Sequence, residues 1–291
     1  MSASSLFSAS SPPLPPRAGA GFKDEHAEAV CEGRPDIGWF EVHPENYMVA
    51  GGPRPAALEA LRGAYPLSMH GVGLSLGGAE RVDRGHLAAL RTLVERFQPG
   101  LVSEHIAWSA RDGVWFADLL PPSLGRAGLD LLCDNIDETH DALGRPILIE
   151  NPASYLVPPD RGMDEAAFVV EAARRTGCGL LVDVNNVHVS AVNIGLDAEA
   201  YVDAIPGDLI GEIHLAGFAV DDAGGERLLI DSHGAAVDDA VWRLYERLID
   251  RVGPRPTLIE WDRDIPAWDV LHAEAMKAET RLARLVAPAA A

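Results

Sequence analysis

A (β/α)8 barrel of the TIM type, an α/β fold, is the class the sequence predicts, and three observations predict it. Eight short apolar runs are spread along the 291 residues, and each ends in polar or acidic side chains. Continuous apolar runs of strand length suit parallel strands covered on both faces. Between them lie stretches with helical spacing, and alternating strands and helices imply βαβ units around a parallel sheet. Eight strands in a chain of this length suit a closed barrel. A doubly wound open sheet is the alternative, but no GxGxxG or Walker sequence follows any run.

Taken in order, the strands are AGAGF, short and rich in glycine, then GWFEVH (38–43), PLSMHG (66–71), LVSEH (101–105), PILIEN (146–151), GLLVDVNN (179–186), GEIHLAG (211–217) and PTLIEWD (256–262). After Asp83, the recurrence of Leu87, Leu90, Leu93, Val94 and Phe97 predicts a helix with one face on the barrel. Asp164 is placed to cap a helix ending near Gly177. Val241, Leu244, Tyr245, Leu248, Ile249 and Val252 form a stripe closed by Gly253. The stretch 220–229, with Ala223-Gly224-Gly225, reads as a hairpin-bearing loop after the seventh strand. Residues 1–18, rich in Ser and Pro, lack the early positive charge and apolar stretch of a secretory signal and read as a flexible tail. Residues 19–291 are then one barrel domain.

Composition narrows the function. A formal charge of -20 disfavours nucleic-acid partners, whose binding depends on cationic groups displacing counterions. No apolar run is long enough to span a bilayer. Three scattered cysteines, Cys31, Cys133 and Cys178, suit reduced thiols in the cytoplasm better than a disulfide framework or a thiolate metal site.

In a parallel barrel the strand ends share one face, so residues distant in sequence meet there. These strands end in His43, His70, Glu104 and His105, Glu150 and Asn151, Asp183, Glu212 and His214, and Glu260 and Asp262, with Asp231 and His233 in the loop LLIDSHG. Any one of these alone is more often a structural or surface residue. Gathered at one mouth, they would repel and shift one another's pKa values unless cations compensated them, and imidazole with carboxylate suits iron, manganese or zinc. Strand alternation lets only one of Glu104 and His105 line the bore and gives Glu212 and His214 the same direction. This favours His105 and His214 as ligands, with Glu212 behind them or facing substrate. Glu150 or Glu260 can bridge two ions, so more than one metal is expected. His43, Glu45 and Asn46 in EVHPENY are candidates to line a substrate groove, and Trp108, Trp115 and Trp261 to contact substrate or to pack under loops.

The motifs FEVHPENYMVAGGP, SMHGVGLSLG, VSEHIAW, LIENPASYL, GLLVDVNNVHVSAVN, GEIHLAG, IDSHGA and LIEWD together resemble those of the multinuclear non-haem iron-dependent oxidative enzymes, over nearly the whole chain. That resemblance implies a xylose-isomerase-like TIM barrel. It also implies an oxidoreductase with two or three iron ions, mixed Fe(II) and Fe(III), and molecular oxygen as co-substrate. The substrate would be a cysteine-containing, ribosomally made precursor peptide, oxidised to a heterocycle or thioamide-type product and presented by a small partner protein that recognises its leader. Residue by residue, His70, His105 and Glu150 would hold one ion, and Glu150, Asp183, His214 and Glu260 a second. Asp231 and His233 would hold the third, completed by Asn186. The trinuclear zinc endonucleases of the same barrel type carry His where this chain has Asn186, so the resemblance departs from a hydrolytic site at that position. Glu104, Asn151, Glu212 and Asp262, with His43 and Asn46, would bind substrate or support the ligands. Two other readings compete: a divalent-metal hydrolase or isomerase acting on a sugar or phosphate, and a non-catalytic metal-binding scaffold.

Overall fold

The computed structural model describes residues 13–157, 162–225 and 227–286. Eight parallel strands close into a barrel: β1 (Ala18–Gly21), β2 (Trp39–Val42), β3 (Leu67–Gly71), β4 (Leu101–His105), β7 (Leu148–Glu150), β8 (Gly179–Asp183), β9 (Ile210–Leu215) and β12 (Thr257–Ile259). β1 closes the ring by pairing with β2 on one side and β12 on the other. The helices are α1 (Ala27–Gly33), α2 (Pro53–Arg62), α3 (Arg84–Phe97), α4 (Arg126–Leu143), α5 (Glu165–Thr176), α6 (Val184–Ile194), α7 (Ala198–Ala204), α8 (Asp239–Val252) and α9 (Trp268–Val286). The chain is the (β/α)8 barrel its apolar runs predict. None of its described helices is long and apolar enough to cross a membrane.

Strand alternation sorts the side chains into two apolar clusters. Phe40, Met69, Val102, Ile149, Val182, Ile213 and Ile259 face outward into the large core under the helices. Trp39, Leu101, Leu148, Leu181 and Leu258 face inward and, with Leu14, form a separate apolar plug. Two residues further along the same strands, the inward positions become Glu41, Ser103, Glu150, Asp183 and Glu260, all buried. The bore therefore changes from an apolar floor to a polar mouth within one strand repeat. Gly19 is what admits the floor's largest side chain, because a Cβ there would lie 2.5 Å from the Trp39 ring.

Caps set several helix starts. Asp83 accepts from Gly85 N and His86 N, and α3 buries Leu87, Leu90, Leu93, Val94 and Phe97. Asp164 caps α5, which ends at Gly177 with φ 75°. In α8 the buried face runs from Val241 to Ile249, with Gly253 at φ 76° after it.

Four features differ from the sequence reading. The run GLLVDVNN is not all strand: β8 stops at Asp183, whose carboxylate accepts from Asn186 N at 2.7 Å and starts α6. The run PTLIEWD forms a short strand, extended by one bond from Glu260 N to Leu215 O at 2.9 Å. Ordered structure begins before residue 19, since Leu14 is buried in the floor and Ala18 opens β1; residues 1–12 of the expected tail lie outside the described residues. A hairpin of β5 (Trp108–Arg111) and β6 (Val114–Leu120) sits after β4, where no element was expected. Its signal was Asp112-Gly113, a dipeptide with both φ values positive (51° and 74°), as a tight two-residue hairpin turn requires. The second hairpin, β10 (Ala219–Asp221) with β11 (Leu228–Ile230), falls at the predicted loop.

Candidate metal centre

The strand ends bring imidazole and carboxylate groups together around Glu150 and Glu260. Glu150 Oε2 lies 3.0 Å from His70 Nε2 and 3.1 Å from His105 Nε2. The far side of each ring is already engaged. His105 Nδ1 is 3.1 Å from the Gly71 carbonyl, which can only accept, so the proton sits on Nδ1 and Nε2 presents a lone pair inward. His70 Nδ1 meets Ser103 Oγ at 2.8 Å. Glu150 Oε2 itself has no hydrogen-bond partner of good geometry. Donor atoms this close without mutual hydrogen bonds are arranged as ligands around a cation would be.

His214 is turned the other way. Its Nδ1 is 3.1 Å from Glu260 Oε2, while Nε2 is backed by Glu41 Oε1 at 3.2 Å and Glu212 Oε1 at 3.5 Å. Glu212 also accepts from Ser68 Oγ at 3.2 Å. Carboxylates behind an imidazole orient the ring and raise its basicity. Next to it, His233 Nε2 is 2.7 Å from Asp231 Oδ1 and Nδ1 is 3.4 Å from Glu260 Oε2. His233 adopts φ 47°, and its carbonyl accepts from both Asp262 N and Arg263 N, which holds the strained backbone in place.

Among the described residues, four overlapping groups have ligand atoms within 4.8 Å of one another: His70, Glu150 and His214; Glu41, His214 and Glu260; His43, Glu260 and Asp262; and Asp183, His233 and Glu260. Glu260 belongs to three of them, so it is as central as Glu150. Asp183 Oδ2 and Asn186 Oδ1 are buried without hydrogen-bond partners. Asn186 lines the same cleft as Asp231 and His233. These orphaned oxygens and the mixed imidazole and carboxylate donors fit a hard or borderline cation such as iron.

The electrostatics show why cations suit this place. Burial disfavours charge on His70, yet the adjacent Glu150 carboxylate outweighs it and lifts the imidazole to about 10. Glu150 is held down at about 2 by His105 and His70 in spite of its own burial. For His105 burial prevails and lowers the pKa. Burial, then the Glu41 charge, pushes Glu212 up to about 8; burial with Glu45 does the same for Glu104.

Other expected site residues have different surroundings. Glu104 points away from the ligand atoms, accepting from Leu74 N at 3.3 Å and His105 N at 3.2 Å. Asn151 exchanges two 2.9 Å bonds with the Asp183 backbone, tying β7 to β8. His43 Nε2 stands 3.5 Å from Asp262 Oδ2, and Lys23 pairs with that same carboxylate. Asn46 is exposed on the 3-10 turn after β2, where its N–H donates to the His43 carbonyl at 3.2 Å, and its side chain has no described hydrogen bond to the cluster. Sequence reasoning missed Glu41 and Lys23, as well as Tyr155, whose hydroxyl accepts from Asp231 N at 2.9 Å. Glu41 was detectable, since it lies two residues before His43 and so faces the same way.

The sequence model of the family described as the RiPP precursor modification enzyme MbnB/TglH/ChrH matches residues 17–283, where RiPP denotes a ribosomally synthesised and post-translationally modified peptide. The chain belongs to this family. Among its relatives, the UPF0276 protein of Caulobacter sp. (strain K31) is 56% identical over 270 residues, covering 92% of this chain and 97% of that one. Among solved structures, the xylose isomerase-like TIM barrel protein of Mycobacterium smegmatis in complex with magnesium has a TM-score of 0.57 at 13% identity, covering 99% of this chain and 100% of that one. Endonuclease IV of Thermus thermophilus has a TM-score of 0.60 at 14% identity, covering 92% and 99%. These structures share the fold with this MbnB/TglH/ChrH member.

Proposed function

We propose that the chain is an iron-dependent oxidoreductase that uses molecular oxygen to oxidise cysteine in a precursor peptide, working in the cytoplasm with a small partner protein that presents the peptide. The observation that carries this reading is the convergence of His70, His105, His214 and His233 on Glu150 and Glu260 beneath an open cleft, in a chain of a peptide-modifying family. His70, His105 and Glu150 would hold one ion. Glu150, Asp183, His214 and Glu260 would hold a second, and Asn186, Asp231 and His233 a third. Iron bound there would supply the redox chemistry with oxygen and lower the pKa of a cysteine thiol brought to it.

The chain's own residues prepare the rest. Ser103 and the Gly71 carbonyl fix the rings of His70 and His105. Glu41 and Glu212 stand behind His214 Nε2 and fix the orientation of its ring. Lys23 and His43 converge on Asp262 at the rim and give the cleft a polar wall against which a peptide backbone can be oriented.

The test is to purify the protein without oxygen, count its metals, and follow oxygen uptake with cysteine-containing peptides. Iron with cysteine-dependent oxygen consumption is the expected result. Zinc, manganese or magnesium with no oxygen uptake would overturn it in favour of a hydrolase or isomerase. Releasable metal with no turnover of any kind would point to a scaffold.

A further inference from the structure

The β5–β6 hairpin carries a surface that the metal centre does not account for. β6 spans seven residues, the longest of the described strands. Trp115 is 57% exposed and Phe116 43%, and neither charge nor proline interrupts Val114, Trp115 and Phe116. Natural sheets blunt such edges with charge, proline or a covering element, because an open apolar edge recruits another strand. Here no third strand covers the pair among the described residues.

Register shows which backbone groups are available. Asp112-Gly113 forms the turn, so Arg111 and Val114 are the hydrogen-bonded closing pair. The next pair, Ala110 with Trp115, is then of the non-hydrogen-bonded kind, and the N–H and C=O of Trp115 point away from β5. A register shift follows between the Ala110–Trp115 and Trp108–Leu120 pairs. The same strand reaches the cleft: its Asp118 and Leu119, with Val72 from the loop after β3, line both the cleft over His105 and His233 and the hollow beside Trp115 and Phe116. The five residues from Trp115 to Leu119 span roughly 13 Å when extended, the length of a short peptide stretch.

We propose that an extended stretch of the peptide substrate docks on the hairpin. It pairs its backbone with Trp115 at the outer edge of β6, packs an apolar side chain on Trp115 and Phe116, and so feeds the residues that follow into the cleft. This rests on the peptide-modifying reading above. An unpaired strand edge with aromatic side chains is suited to an extended polypeptide, since main-chain bonds supply affinity and alternate side chains supply selectivity. A sugar or a phosphate ester offers no row of amides to such an edge.

The test uses the full chain as purified, under argon, with a synthetic library of acetylated, amidated dodecapeptides, each containing one cysteine. The tightest binder is resynthesised and its affinity measured by fluorescence anisotropy. The expected result is that Trp115→Ala with Phe116→Ala weakens binding at least tenfold, with an unchanged melting curve. N-methylation of the peptide at residues of one parity should abolish binding while the other parity leaves it intact. Hydrogen exchange should slow at residues 114–116 on binding. The proposal is overturned if the double variant binds equally well, if both N-methylation patterns act alike, or if no library member binds. Binding that behaves as expected without oxygen consumption after iron loading would sink the oxidative reading and leave the docking edge standing.

Discussion

Glu150 and Glu260 are the side chains on which the site's geometry turns, because each stands within 3.4 Å of two imidazole nitrogens. Glu150→Gln is expected to lower the bound metal by two ions and His233→Ala by one, as counted by elemental analysis of anaerobically loaded protein. Equal losses would contradict the shared role of Glu150. Uptake of ions must also displace a proton from His70, whose imidazole is lifted to about 10. Affinity should therefore tighten as pH rises toward that value, with proton release visible by calorimetry in buffers of different ionisation heat. Away from the site, burial pushes Glu165 up to about 7 from 4.5. Its contribution to stability is intact below pH 4.5 and falls away as pH rises to 7, since the unfolded carboxyl ionises first. Glu165→Gln should remove that slope and leave the variant more stable than the parent above pH 7, by about 1–3 kcal/mol. Denaturant melts at pH 4.5 and 8 would measure it. At this scale the ligand candidates were legible as strand-end His and carboxylate residues. Ser68 was not, because a polar side chain in mid-strand acquires meaning only when the barrel closes and Glu212 arrives from another strand.

Among the elements, β1 shows how little sequence signal a necessary strand can carry. Ala18–Gly21 offers small side chains only, and its inward Gly19 exists to make room for Trp39. Gly19→Ala should cost roughly 1–3 kcal/mol by overpacking, read as a lowered denaturant midpoint with an unchanged slope. Truncating Leu14 to Ala tests the floor of the bore from below and should cost about 2–3 kcal/mol if its cavity stays open. Helix starts at Asp83 and Asp164 were readable because a cap is a local bond between a side chain and nearby N–H groups. The extent of GLLVDVNN was not. Asp183 ends a strand and caps a helix at once, and apolar Val184 and Val187 serve either state until packing decides. The β5–β6 hairpin had a local signal in Asp112-Gly113, but its Trp108 and Trp115 read either as substrate contacts or as packing under loops.

For the molecule as a whole, the formal charge of -20 and the buried carboxylates at the mouth make cation binding and folding interdependent. Ions that bind the folded chain and not the unfolded one should raise its melting temperature, and a chelator should reverse the gain, by about 3–4 kcal/mol at ion concentrations 100 to 1,000 times the dissociation constant. Scanning calorimetry with and without iron measures this. A chelator without effect would mean that the cluster binds no ion tightly. The sequence by itself determined the barrel, because apolar runs alternating with amphipathic stripes have few ways to bury both faces of a sheet. It also offered the strand-end His and carboxylate residues as candidates for the mouth, since strand alternation and chain direction are local properties, but it left out Glu41, Lys23 and Tyr155. Only the tertiary structure decided which of them meet: Glu41 with His214, His43 and Lys23 with Asp262, and Asp183 with His233 and Glu260. Those contacts depend on the stagger and curvature of the closed barrel. These are set jointly by all eight strands and are written in no single segment.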